Sequence, residues 1–141
     1  MTRVVIDPGV LVSGFISPSK AAPALLVDAI LDGKLDVVAS PLLISELTEV
    51  LMREKFAAHA AGGRAAAYIA VLLDRADMVP DEPGSVQTDD PDDDYLLALA
   101  EAHDVDAVVS GDPHLLAAAS SQLHVLTPRE LVDRLGLEHA D

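Results

Sequence analysis

Five short runs rich in β-branched residues recur along the chain, and the stretches between them carry apolar residues at helical spacing. That alternation is the signature of a parallel sheet covered by helices. The runs RVVID (3–7), LDVVAS (35–40), DMVPD (77–81), DAVVSG (106–111) and LHVLT (123–127) are read as the strands. SKAAPALLVDAILDGK gives the first long helix, ending at Gly33 as helices commonly do. In SPLLISELTEVLMREKF, Ser40 caps a second helix and Pro41 takes its first position, where a missing N–H costs nothing. GGRAAAYIAVLLDRA follows a two-glycine break and forms a hairpin with the helix before it. DDDYLLALAEAH is the fourth helix, and TPREL opens the last with Thr127 and Glu130 at capping-box spacing. The expected fold class is α/β, in one domain spanning residues 1–141, with residues 82–91 (EPGSVQTDDP) as the only linker-like segment.

A chain of 141 residues that is 50% hydrophobic can bury a real core. It has no uninterrupted apolar run of membrane-spanning length and no basic-then-apolar leader, so a cytoplasmic location is expected. Having no cysteine, it can form neither disulfides nor thiolate metal sites, and any metal must sit on oxygen or imidazole. Mg²⁺ or Mn²⁺ fits best. The net charge of −15, from 24 acids against 9 bases, argues against broad non-specific nucleic-acid binding.

Five aspartates crowd into the six positions 89–94, directly before an apolar run. Most of them read as helix-start charge that complements the helix dipole. Asp93 differs: it stands three and four residues before Leu96 and Leu97 and so shares their buried side, whereas Asp89, Asp90 and Asp92 lie before or at the cap. A calcium loop fits poorly, since the turn glycine and distal glutamate are missing.

Ligands of open parallel α/β sheets bind beyond the carboxyl ends of the strands, where strand order reverses. Asp7 closes the first strand and Asp112 follows the fourth, so their carboxylates face each other if those strands are neighbours. On the second helix Leu43, Leu47, Val50 and Leu51 define the buried face; Glu46 borders it while Glu49 falls away into water. Asp7, Glu46, Asp93 and Asp112 brought together would repel one another unless a cation neutralised them. A divalent ion resolves that conflict and can activate water against a phosphodiester.

VVIDPGVLVSGFISP, SPLLISELTEVL, DPDDDYLLALAEAHDVDAVVSGD and LTPREL, in that order, resemble the PIN-domain family, the metal-dependent ribonuclease fold of VapC-type toxins, over nearly the whole chain. The resemblance implies a three-layer α/β/α sandwich with a five-stranded parallel sheet of order 3-2-1-4-5. It implies that Asp7, Glu46, Asp93 and Asp112 form an acidic cluster, with Asp7, Asp93 and Asp112 on the metal, and that RNA is the substrate. It also implies an antitoxin partner, and a homodimer formed through apolar helices is expected.

Two positions depart from the family pattern. Asp7-Pro8-Gly9 stands where Asp-Thr-Asn or Asp-Ser-Ser is usual, which removes the hydroxyl and amide that would orient the acid or a water. Pro8 still favours an extended Asp7. His114 takes the place of a further acid and is a candidate outer ligand. Arg53, Lys55 and Arg64 flank the helical hairpin, as ordinary surface charge or as a cationic rim for RNA phosphates. A haloacid-dehalogenase phosphatase would need an acid at Gly9, and a receiver domain a lysine after the fifth strand; neither is present. The alternative to a nuclease is a non-catalytic PIN-like module that works by binding a partner.

Overall fold

The structure, a computed structural model, describes residues 1–53, 56–81 and 94–137. Its strands are β1 (Arg3–Ile6), β2 (Asp36–Ala39), β3 (Asp77–Met78), β4 (Ala107–Val109) and β5 (Val125–Leu126). All pair in parallel in the order β3-β2-β1-β4-β5. Val4, Val5 and Ile6 of the central strand are fully buried, as befits a parallel strand covered on both faces.

The helices are α1 (Pro8–Ile16), α2 (Ala22–Leu31), α3 (Pro41–Leu51), α4 (Ala57–Ala60), α5 (Arg64–Arg75), α6 (Asp94–Ala102), α7 (Pro113–Ala117) and α8 (Pro128–Leu135). Right-handed crossovers place the β1–β2 and β2–β3 connections on one face of the sheet and the later ones on the other, because the chain reverses direction across the sheet after β3. Accordingly α1 packs on α2 and α3, whereas α6 packs on β1 and β4; α8 returns to pack on α2. Among the described residues, no helix is long and apolar enough to cross a membrane.

All five expected strands are present, trimmed at their ends. Helix α1 was not expected, because PGVLVSGFI has no polar face and therefore no helical period to read; Val10, Leu11 and Val12 are all buried. The expected first helix becomes α2 and starts later, at Ala22. It ends as anticipated: Gly33 has φ +71°, its N–H bonds the Ile30 carbonyl, and the Lys34 N–H reaches back to Ala29 at 2.8 Å. Helix α3 stops at Leu51 rather than running to Phe56. The linker-like segment and the aspartates before position 94 lie outside the described residues.

At the amino ends of the strands Arg3 gathers three acids. Its guanidinium donates to Asp36 and Asp77, each at 2.8 Å, and its backbone N–H to Asp106 at 2.8 Å. These contacts join β1 to the starts of β2 and β3 and to the residue before β4.

Two contacts make α1 sensitive to mutation. A Cβ on Gly14 would fall 2.4 Å from Val27 Cγ2 and 2.9 Å from the Pro23 carbonyl oxygen, so α1 and α2 approach too closely for alanine. In an open helix Gly→Ala stabilises by about 1 kcal/mol. Here the clash outweighs that gain, and Gly14→Ala is expected to lower stability by about 1–3 kcal/mol, read as a lower urea midpoint with an unchanged slope.

Tyr68 stacks on Phe15 with ring centroids 4.7 Å apart and donates its hydroxyl to the Leu11 carbonyl at 2.7 Å. Burial raises its pKa above the ordinary phenol value. The neutral phenol is therefore favoured by folding: its contribution is complete below about pH 10 and is lost as pH rises, because the unfolded chain ionises first. Stability should fall above that pH, and Tyr68→Phe should flatten the decline; identical alkaline profiles would refute this.

Candidate functional site

Strand order reverses between β1 and β4, and Asp7 and Asp112 both stand at that reversal, on either side of Ser110. The Asp7 N–H extends the β1–β4 ladder by bonding the Val109 carbonyl at 2.9 Å. The Ser110 hydroxyl then donates to Asp7 Oδ2 at 2.7 Å and accepts from the Asp112 N–H at 2.9 Å. Ser110 is completely buried, so this hydroxyl works as an internal brace between the two strand ends.

Both acids also cap helices, and they do so in the same way. Asp7 precedes Pro8 and accepts the Gly9 N–H at Oδ1, 3.0 Å, at the start of α1. Asp112 precedes Pro113 and accepts the His114 N–H at Oδ1, 2.9 Å, at the start of α7. An extended residue before proline, followed by proline at the first helical position, produces this geometry from sequence alone. Each carboxylate thus lies at the partially positive end of a helix, which favours its charge.

With no hydroxyl or amide side chain at positions 8 and 9, the Asp7 carboxylate is held by the Ser110 hydroxyl and the Gly9 backbone N–H. Ser110 escaped the sequence reading because a serine ending a β-branched run looks like an ordinary turn residue; its signal was its place directly before Gly111-Asp112.

The acids border a cleft of about 350 Å³, lined by Gly9, Val10, Ser13 and Gly111, with Pro23 and Pro128 at its sides. A cavity of about 410 Å³ lies at the opposite end of the sheet, beside Met1, Thr2, Asp106 and Arg134. Its one carboxylate is committed to the backbone of Arg3, so it offers no converging acids.

Glu46 is half-buried on α3 and Glu49 exposed, as the helical geometry required. The Tyr95 hydroxyl donates to Glu46 Oε2, a contact between α6 and α3 that the sequence did not reveal. Asp93 lies outside the described residues, as does Lys55. His114 is exposed, and the contact it makes with Asp112 comes from its backbone. Arg53 is exposed, as is Arg64, whose guanidinium sits 5.9 Å from the Phe15 ring centroid. Among the described residues, no three acids or histidines form a group able to hold an ion; Asp7 and Asp112 form a pair.

A family model described as PIN domain matches residues 3–114. The chain belongs to the PIN-domain family. Members of this family are usually nucleases and generally depend on divalent metal. No curated protein matches the chain, whereas solved structures do. VapBC2 from Rickettsia felis, bound to a DNA fragment from its promoter, is 10% identical with a TM-score of 0.61, over 89% of this chain and 98% of that one. PAE2754 from Pyrobaculum aerophilum is 17% identical with a TM-score of 0.58, over 98% and 91%. FitAB bound to the IR36 DNA fragment is 19% identical with a TM-score of 0.59, over 98% and 99%. At these identities the likeness is one of fold, and the PIN fold carries the same strand order.

Removing the brace has a defined cost. Ser110→Ala leaves Asp7 Oδ2 and the Asp112 N–H without their partner in a half-buried setting, which costs about 1 kcal/mol. Chemical denaturation should show that loss, and a variant as stable as the parent would mean that water replaces the hydroxyl.

Proposed function

We propose that this PIN domain, taken as a single unit over residues 1–141, is a divalent-metal-dependent endoribonuclease and the toxin half of a toxin–antitoxin pair. The observation that carries this reading is the pairing of Asp7 and Asp112 at the carboxyl ends of neighbouring strands, braced by Ser110 beside an open cleft. The donors are all carboxylate oxygens, which suit a hard cation such as Mg²⁺ or Mn²⁺. Asp7, Asp112 and Asp93 would hold it directly or through water.

Such an ion, when bound, supplies charge stabilisation at a phosphodiester and lowers the pKa of water. The chain's own residues do the rest. Ser110 and the Gly9 N–H fix the Asp7 carboxylate, and the His114 N–H fixes that of Asp112. Glu46 would hold a second ion or orient the attacking water. Arg53, Lys55 and Arg64 hold substrate phosphates against a surface whose net charge of −15 would otherwise repel them. An antitoxin covering the cleft would silence the enzyme, a reading supported by the likeness in fold to VapBC2 and FitAB. Exposed Leu42, Met52, Val71 and Leu73 on α3 and the segments that follow it support pairing of two copies. A cytoplasmic location completes the proposal.

One observation favours a second reading. Both acids already serve as helix caps, so the pair has a structural use without a metal, as a non-catalytic PIN-like binding module would require. Calorimetric titration of Mn²⁺ separates the two. Saturable binding, weakened at least about tenfold by Asp7→Asn and by Asp112→Asn, together with metal-dependent RNA cleavage lost in both variants, is the expected result. A parent chain that neither binds Mn²⁺ nor cleaves RNA would leave the binding module as the function.

A further inference from the structure

We propose that Tyr95 is a positioning residue for Glu46, fixing its carboxylate so that it serves the acidic cleft through a single oxygen, Oε1. The inference rests on the nuclease reading above, which assigns Glu46 to that cleft.

Glu46 stands at the edge of the buried face of α3, next to the fully buried Leu47 and one turn from Leu43. Left alone, a glutamate at such an edge has three torsions to settle and water to settle into. Tyr95 removes that freedom. It is the second residue of α6, and the next two, Leu96 and Leu97, are both completely buried, so its backbone is anchored in the core. The phenol has only two torsions of its own and delivers a donor at a defined place. Its hydroxyl donates to Glu46 Oε2, and hydrogen bonds of this type to an ionised carboxylate are the strong ones.

The anchoring ties Glu46 to the rest of the site. Helix α6 packs on β1 and β4, the strands that end at Asp7 and lead to Asp112. The phenol thereby places the α3 carboxylate in the frame that holds the other two acids. With Oε2 occupied by the phenol, Oε1 is the oxygen through which Glu46 would act in the site that the nuclease reading assigns to it. A bidentate grip on an ion would require breaking the Tyr95 bond. Outer groups of this kind typically change metal affinity by about 10–100-fold.

The test is calorimetric titration of Mn²⁺ into the full chain and its Tyr95→Phe, Glu46→Gln and doubly substituted forms, with thermal midpoints recorded alongside. Both single variants should weaken binding about tenfold, and the double variant should bind no more weakly than Glu46→Gln alone, because the proposed effect of Tyr95 on the metal runs through Glu46. A merely structural role for Tyr95 would weaken binding equally in both backgrounds, and that result would overturn the proposal, as would unchanged affinity in either single variant. Mn²⁺ binding that is abolished by Asp7→Asn but indifferent to Tyr95→Phe would defeat this proposal and leave the nuclease reading intact. A parent chain that binds no Mn²⁺ would end both.

Discussion

The burial of β1 decides where charge can stand along the central strand. The strand lies between two parallel neighbours, with Val4, Val5 and Ile6 wholly inaccessible, so charge is admitted only at its two ends. Arg3 stands at one end and Asp7 at the other, and the two ends are managed differently. At the amino end a single guanidinium satisfies Asp36 and Asp77 while its backbone takes Asp106, which pairs opposite charges and brings strand starts together. At the carboxyl end two acids meet with a serine hydroxyl and backbone N–H groups around them instead of a cation. The same sheet thus has one end whose charge is internally paired and one whose negative charge is oriented but not neutralised by a cationic side chain among these contacts. Only the second has the form of a site.

The strands were legible because β-branched runs at regular spacing leave little choice, and the acids at their ends followed from where such sheets bind ligands. The family resemblance added the strand order. Helix α1 was illegible for a physical reason: a helix apolar on every side shows no periodicity, and its valines argue locally for a strand. Tertiary burial between α2 and α3 decided the matter. Ser110 and Tyr95 were missed because their importance lies in a partner 103 and 49 residues away in sequence. No local spacing encodes such a contact. Asp93, the acid that drew most attention in the sequence, lies outside the described residues, so its place beside Asp7 and Asp112 belongs to the proposal.

Asp7 and Asp112 divide their oxygens between duties, and this reconciles their structural and proposed roles. In each, Oδ1 accepts the N–H two residues on and starts a helix. The capping bond fixes each carboxylate, so the geometry of the pair is maintained by the fold itself. Helix capping and the proposed cation binding are then compatible uses of one arrangement, since a cap fixes a carboxylate without consuming all of its acceptor positions.

The Pro8-Gly9 departure reads differently once this is seen. A Cβ at Gly9 would meet Asp7 Oδ1 at 3.6 Å, an ordinary contact, and at Gly111 it would meet nothing within 4 Å. Neither glycine is demanded by crowding, and neither has a φ in the left-handed region. What they share is a position flanking the acid pair, both exposed and both lining the cleft. A side chain at Gly9 would start in contact with the Asp7 carboxylate. Ser110 and backbone N–H groups hold the pair half-buried beside the cleft.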